Sequence, residues 1–561
     1  MGSIRARFDS FIEQAQARPG LCAIALGLIA ACGYPPLHAW WIALPALGLF
    51  IAQLHKAPNW RAAAWQGWLF GWAHLTLANN WIATAFTYQS EMPEFLGWLA
   101  VPLLCVYLAV YPALAALLAH VLTRPPGGAE ATVHEISEAM GVPREPSCHA
   151  SFPVFAVLLA ATWIVTEWLR SWVFTGYPWP PLGMLLLGGL DGPGLARALP
   201  WAGTYGLSGF AIICAAGIAD TIIRRDIPVA AFVAAVIVIG MLVPRLDPQQ
   251  ASEIRYALIQ PLLTQDEIND PTKFEEQFGR IADLSLPGRE QSRLVLWPES
   301  AIPDYLEDGY PKRYYATTAA TNPEFARRRI GSVIGEQSTL LTGVVNLDIG
   351  EREDGILGAI SARNSVLGLN GEGEITAHYA KAHLVPYGEY LPMRPILEPL
   401  GLSRLVAGTI DYKPGPGPRT LDLGEHGRAG IQICYEIVFS GQTVDRDNRP
   451  DYIFNPSNDG WFGWWGPPQH LGQARMRAIE EGLPVLRSTT TGISAVIDAN
   501  GIVRGTIPTG EAGRLDGLIP EAKPPTLFAR FGNALPLAWA ALLILIGIGL
   551  PRALALLRAR G

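Results

Sequence analysis

The chain has 561 residues; half are hydrophobic, only 16% are charged, and 58 Gly and 46 Pro are scattered along it. This excludes a disordered chain, which needs low hydrophobicity and high charge, and a long coiled coil, which Gly and Pro would break. A net charge of −7 and a pI near 5.9 give no electrostatic footprint for nucleic acid, and no nucleic-acid partner is expected.

The apolar excess is sorted into runs. Between Ala62 and Thr123 the only formal charges are Glu91 and Glu94. A bilayer span takes about 20 mostly apolar residues. Spans are predicted near 20–34, 39–54, 63–86, 95–122, 153–171, 201–224 and 228–244, with an eighth near 534–557. This gives a membrane domain over 1–246 with seven transmembrane helices, a soluble domain over 247–531, and an eighth helix with a short tail over 532–561. Ile29-Ala30-Ala31-Cys32 resembles a lipoprotein signal-peptide end. Cleavage there would delete the first span, so an uncleaved span is expected.

Lys and Arg in short loops set orientation. Arg5, Arg7 and Arg18 precede the first span, Lys56 and Arg61 lie between the second and third, Arg224 and Arg225 between the sixth and seventh, and Arg552, Arg558 and Arg560 follow the eighth. The pattern predicts both termini and the Pro/Gly-rich segment 124–152 in the cytoplasm, and the soluble domain on the outer face. A short helix is expected at 131–140. Within the third span, His74, Asn79 and Asn80 are expected to make interhelical hydrogen bonds, and Glu167 and Arg170, three apart on a helix, to pair.

In the soluble domain, the strand-like run Arg293–Leu296 ends in Trp297-Pro298-Glu299-Ser300, where the proline stops the strand and sets a carboxylate just past it. Lys381 follows the run Arg363–Leu369 and a Gly-rich turn. Cys434, the only cysteine of the six in this domain, follows the run Arg428–Ile433 and precedes Tyr435 and Glu436. Functional groups of open α/β sheets cluster at such strand ends. A thiolate that attacks an acyl carbon, a carboxylate that moves the proton and an ammonium that stabilises the oxyanion make a nucleophilic site. No metal is required, and the ten histidines show no ligand spacing such as H-E-x-x-H. A buried, inert cysteine is the competing reading of Cys434.

The soluble domain resembles the nitrilase-type carbon–nitrogen hydrolase family. With its flanking spans, the chain is similar to the bacterial apolipoprotein N-acyltransferase family. The resemblance is carried by Trp297–Pro303, Lys381–Pro392 with Glu389, Ile433–Glu436, Asn455–Gly463, Gln469-His470, Arg475–Glu480, Thr491–Ala495 and, in the membrane half, Glu167–Arg170 with Thr175–Trp179. Asn269 stands where the family usually has an aromatic, and Thr490 where Asn is common. The resemblance implies an αββα sandwich, a Glu299-Lys381-Cys434 triad and no cofactor. It implies acyl transfer from a membrane phospholipid, through a Cys434 thioester, to the N-terminal amine of a diacylglyceryl-cysteine apolipoprotein, by a monomer in the bacterial inner membrane with its catalytic domain periplasmic. Glu389, Glu436 and Tyr435 are expected in support, the two glutamates either orienting Lys381 and the proton path or serving only as neighbouring salt bridges. A membrane-anchored amidase using water and a non-catalytic scaffold are the alternatives. Trp461, Phe462, Trp464 and Trp465, flanked by Gly and Pro, are expected to form a mobile lid at the bilayer interface.

Overall fold

The computed structural model describes residues 17–88, 93–123, 151–224, 226–244, 250–287, 292–352, 354–400 and 410–558. The segment 124–150 with its expected helix, and Arg5, Arg7, Glu91, Arg225 and Arg560, lie outside these residues.

The amino-terminal half is helical: α1 (Pro19–Ala31), α2 (Trp40–His55), α3 (Trp60–Ala78), α4 (Phe95–Leu122), α5 (Phe152–Arg170), α6 (Leu199–Arg224) and α7 (Ile227–Leu242). Three of these regions, Phe95–Leu122, Phe152–Arg170 and Leu195–Arg224, are long and apolar enough to cross a bilayer. The apolar helices Pro19–Ala31, Trp40–His55 and Ile227–Leu242 and the apolar stretch Ala534–Gly549 are shorter, at 10–17 residues. The chain leaves helix at Asn79, whose side chain turns back onto Leu75 O, so the third predicted span ends early. Small residues bring the helices together: a Cβ at Gly48 of α2 would lie 2.3 Å from Ala215 O of α6. Outward faces stay apolar. α7 buries only Ile237 and Met241 and exposes Phe232, Val236 and Leu242, a face that fits lipid rather than water. His74 is bound between helices, to Tyr34 Oη at 2.9 Å and close to Gly27 O, and Asn79 Oδ1 accepts from Tyr177 Oη at 2.8 Å, whereas Asn80 donates within its own turn, to Leu77 O. Glu167 and Arg170 approach to 3.6 Å.

The second half is a sandwich of two six-stranded sheets. Sheet one runs in the order β12-β1-β2-β3-β4-β5, and sheet two β11-β10-β9-β8-β7-β6. The strands of sheet one are β1 (Ala251–Gln260), β2 (Leu294–Leu296), β3 (Thr339–Glu351), β4 (Leu357–Asn370), β5 (Ile375–Ala380) and β12 (Gly513–Pro520). Those of sheet two are β6 (Thr420–Asp422), β7 (Arg428–Ile431), β8 (Tyr452–Ser457), β9 (Val485–Thr489), β10 (Ser494–Ile497) and β11 (Val503–Ile507). Each sheet has three parallel strands, β1-β2-β3 and β7-β8-β9, flanked by antiparallel neighbours. Leu258, Leu296 and Val366 of one sheet meet Ile431, Phe454 and Leu486 of the other in the shared interior. Helices α8 (Phe274–Ser285) and α9 (Pro323–Ile334) cover sheet one through Phe278, Ile281, Ile330 and Ile334. Helix α10 (Gly466–Glu481) covers sheet two, completing an αββα arrangement. A last helix, α11 (Ala534–Arg558), returns to pack on α5.

Helix α10 is polar in sequence, yet every residue but Pro468 is buried, because its other side meets the membrane helices. Arg475 donates to the carbonyls of Gly188, Gly189 and Gly192 at 2.9, 2.6 and 3.0 Å. Arg477 pairs with Glu480 at 2.9 Å, and Glu480 also accepts from Thr204 and Ser440. Buried charges thus find partners across the junction, as burial demands.

Candidate active site

Glu299, Lys381 and Cys434 each stand just past the end of a strand, and the sandwich brings those ends together. After β2 the chain keeps one more ladder bond, Trp297 N–H to Leu341 O, and Pro298 then turns it. Glu299 sits over β3 at Gly343, where a Cβ would lie 2.5 Å from Glu299 Cα, so only glycine leaves room for the loop. Lys381 is the residue after β5 and is almost wholly buried. The strand before Cys434 ends at Ile431, two residues before the predicted end, and Gln432 N–H makes a further bond to Phe454 O. Cys434 itself is left-handed, with φ of +50°, and opens a tight turn over 434–438. For a non-glycine residue that conformation costs about 1–3 kcal/mol and must be held by its surroundings.

One buried network joins these groups. Lys381 Nζ is 2.9 Å from Glu389 Oε1 and 3.7 Å from Glu299 Oε1. Asn364 of β4 donates from one amide nitrogen to both of those oxygens, each at 2.7 Å. The second oxygen of Glu299 accepts from the Asn458 backbone N–H at 2.7 Å, and that of Glu389 from Val385 N–H at 2.7 Å. Burial disfavours the Lys381 ammonium, but the Glu389 and Glu299 carboxylates outweigh it and hold its pKa above the ordinary lysine value. Burial first, and then the Glu299 charge, push the Cys434 thiol well above its ordinary value, against the Lys381 charge and the Asn458 N–H. The resting sulfur is therefore a thiol with a carboxylate at hand.

The supporting glutamates divide their tasks. Glu389 touches Lys381 directly. Glu436 instead ties backbone together: Oε1 accepts from Ala382 N–H at 2.7 Å and Tyr379 Oη at 2.8 Å, and Oε2 from Ile433 N–H at 2.8 Å. Burial raises the Glu436 pKa to about 7 against those donors. Tyr435 reaches the membrane half, with its hydroxyl 3.3 Å from Gly176 O.

Behind the thiol lie three further titratable side chains. Asp459 is paired with Arg487 at 2.6 Å, and the two flank Nδ1 of His470, whose Nε2 lies 3.1 Å from Cys434 O. Burial raises the Asp459 carboxyl, but the Arg487 charge and the hydrogen bonds to Arg487 and His470 outweigh it and hold it below the usual range.

The four aromatics expected to form a lid sit in different surroundings. Phe462 is wedged beside Trp81, Trp179 and His470, with ring centroids 4.6, 5.7 and 5.6 Å away. Trp465 caps α10 and is half-buried, and Trp461 meets the edge of Tyr88 at 5.9 Å. Only Trp464 is open, 66% exposed. Gly466-Pro467-Pro468 starts a helix, as Pro at a first turn allows. Asn269 is exposed in a turn, and Thr490 donates to Asn458 Oδ1 at 2.8 Å, steadying the residue whose N–H faces Glu299.

Reasoning from sequence missed Asn364, Asn458 and the Asp459–Arg487–His470 group as working parts. The one available signal for Asn364 was a polar pair, Asn364-Ser365, inside an otherwise buried strand.

Comparison with known proteins matches residues 26–217 to the apolipoprotein N-acyltransferase N-terminal domain and residues 256–521 to the carbon-nitrogen hydrolase family. The apolipoprotein N-acyltransferase of Rhodopseudomonas palustris is 30% identical over 553 residues, covering 93% of each chain. That of Bradyrhizobium diazoefficiens is 34% identical over 417 residues, 70% of this chain and 72% of the relative. That of Caulobacter vibrioides is 30% identical over 563 residues, 96% of this chain and 95% of the relative. Among solved structures, a mutant amidase from the nitrilase superfamily, of Nesterenkonia AN1, is 18% identical with a TM-score of 0.32, covering 52% of this chain and 97% of that one.

Proposed function

The chain belongs to the apolipoprotein N-acyltransferase family, an acyltransferase of lipoprotein N-acylation, and on that premise we propose that Cys434 carries the acyl group between a membrane phospholipid and the acceptor amine. The observation that supports this most is the closed network of Lys381 between Glu299 and Glu389 beside a buried, left-handed Cys434.

In the first step Glu299 takes the thiol proton as Sγ bonds to the ester carbonyl carbon. Lys381 stabilises the oxyanion, a contribution worth about 10²–10³ in rate for one donor. The carbon–oxygen bond breaks, and the proton passes from Glu299 to the leaving lysophospholipid. In the second step the α-amine of the diacylglyceryl-cysteine adds to the thioester carbon. Its proton passes by way of Glu299 to the departing sulfur, and an amide remains. Holding the amine beside the thioester supplies an effective molarity of about 10⁵ M or more. Glu389 keeps Lys381 charged, and Glu436 and Tyr435 fix the backbone around the thiol. Trp461, Phe462, Trp464 and Trp465 make the rim through which acyl chains enter.

Both substrates are lipids, so the site opens at a bilayer surface. The proposed division is a membrane domain over 1–246 with seven spans, a catalytic domain over 247–531 on the periplasmic side, and an eighth span over 532–561, in a monomer of the bacterial inner membrane. Single reporter cysteines placed in 124–152 should resist an impermeant reagent in intact cells; labelling from outside would refute that topology.

The central test is intact mass spectrometry of the purified protein with phospholipid. An added acyl mass that hydroxylamine removes, and that Cys434→Ala lacks, is expected. Fatty acid released to water, with no transfer to a diacylated peptide, would assign a hydrolase instead.

A further inference from the structure

We propose that His470 is a positioning residue for the Cys434 thiol, acting through the Cys434 backbone carbonyl. The inference rests on the reading of Cys434 as the nucleophile.

His470 lies in the second turn of α10 and has no exposed surface. Its Nε2 is 3.1 Å from Cys434 O. A carbonyl oxygen only accepts, so Nε2 carries the hydrogen. Nδ1 is 2.9 Å from both Asp459 Oδ1 and Arg487 Nη2, which are locked to each other. The ring is packed against Trp179 and Phe462, at 5.0 and 5.6 Å. Every direction in which the imidazole could turn is thus occupied.

What it grips is the strained residue. Cys434 is left-handed, and the peptide before it is fixed by Ile433 O, which accepts from the Glu436 backbone N–H at 3.1 Å. The peptide after it is fixed by His470. Together the two bonds hold both planes that flank the Cys434 Cα, and the direction of Sγ follows from those planes. Without the His470 donor, the buried carbonyl keeps only the bond of its own tight turn, and the left-handed residue is freer to relax. The thiol would then spend less time facing Glu299 and Lys381.

The test uses the full-length protein in lipid-containing micelles and two substitutions. His470→Gln places an amide N–H about where Nε2 lies; His470→Asn is one methylene shorter and reaches only the Asp459 side. Two rates are read: alkylation of Cys434 by iodoacetamide, and kcat with KM for acyl transfer to a diacylated peptide. The Asn variant should lose about tenfold in both alkylation and kcat at unchanged KM, the effect of one lost hydrogen bond. The Gln variant should recover most of that loss. Equal rates in the two variants, or alkylation in the Asn variant as fast as in the wild type, would overturn the proposal. If either variant melts at the growth temperature, ¹⁵N-histidine spectra of the wild-type protein decide: a slowly exchanging Nε2 hydrogen is expected, and a bare Nε2 overturns it. Failure of phospholipid to acylate Cys434 would overturn the functional reading alone, since the alkylation comparison needs no acyl donor.

Discussion

Lys381 is held more closely by Glu389, at 2.9 Å, than by Glu299, at 3.7 Å. Two carboxylates thus share one buried ammonium, and Asn364 bridges them so that neither drifts. Because the Lys381 pKa is raised, its charge stabilises the fold fully below the ordinary lysine value, about 10.4, and is lost only as pH rises beyond it. The ammonium therefore contributes no slope to activity between neutral and mildly alkaline pH.

Glu299 has opposite effects on the thiol and on turnover. Its charge is the second cause, after burial, of the raised Cys434 pKa. Glu299→Gln should therefore make Cys434 easier to ionise, and iodoacetamide should alkylate it faster than in the wild type at pH 8. Acyl transfer by the same variant should fall by about 10²–10⁴, the usual worth of a general base. Slower alkylation together with unimpaired transfer would remove Glu299 from the proton path.

Gly343 makes the Glu299 loop possible from below. A Cβ there would lie 2.5 Å from Glu299 Cα, 2.7 Å from Pro298 O and 2.8 Å from Ser300 N, all backbone atoms that cannot swing away. Gly343→Ala should lower the melting temperature by an amount corresponding to about 1–3 kcal/mol of overpacking. Turnover per folded molecule should fall as Glu299 is displaced, while Cys434, on the other sheet, should still be alkylated. Unchanged turnover would show that the loop tolerates the shift.

The strand ends that carry Glu299 and Cys434 were legible because each is an apolar run closed by a turn or a proline, whereas Lys381 follows β5, a short mixed strand hidden behind the more apolar run Arg363–Leu369 of β4. Asn364 was not, since a polar residue in a strand reads as a solvent-facing position until both sheets and their loops are assembled around it. The burial of helix α10 was not legible for a similar reason: partners of its arginines and glutamates, Gly188, Gly189, Gly192 and Thr204, lie more than 270 residues away in sequence. The membrane helices were legible as apolar runs, but not their ends: hydropathy runs on through Asn79 and Asn80, whose side chains close the helix.

Glu481, the last residue of α10, reports on the junction. Burial, and then its neighbour Glu480, raise its pKa to about 7. A carboxyl raised in the fold favours the protonated native state. Its contribution is complete below the unfolded value, about 4.3, and is lost as pH rises through about 7. The loss is on the order of 3 kcal/mol at most. Glu481→Gln stays uncharged, so its melting temperature should fall less between pH 5 and pH 8 than that of the wild type. Glu436 titrates in the same range and remains, so the flattening should be partial. A variant with the wild-type slope would place the titration elsewhere.

The aromatic rim separates into one packed ring and one open ring, and the two should respond differently. Phe462 fills a slot beside Trp81, Trp179 and His470. Phe462→Ala should cost about 2 kcal/mol, below the roughly 3–5 kcal/mol cavity penalty of a fully buried phenylalanine because the ring is only half-buried. Trp464 is 66% exposed and touches Trp465 edge-on at 5.2 Å. Its removal leaves no cavity, so Trp464→Ser should move the melting temperature little. An exposed tryptophan next to a bilayer prefers the interfacial zone, and its burial there is worth about 2 kcal/mol. Loss of that ring should raise the apparent KM for phospholipid in vesicles and leave alkylation of Cys434 unchanged. Gly463 sets the boundary between the two behaviours. Its φ is +54°, and a Cβ would meet Thr84 Oγ1 at 2.8 Å, so the chain pivots there from the packed ring to the open one. If Trp464→Ser destabilises the protein as much as Phe462→Ala and leaves vesicle kinetics untouched, then Trp464 is packing and the rim is closed.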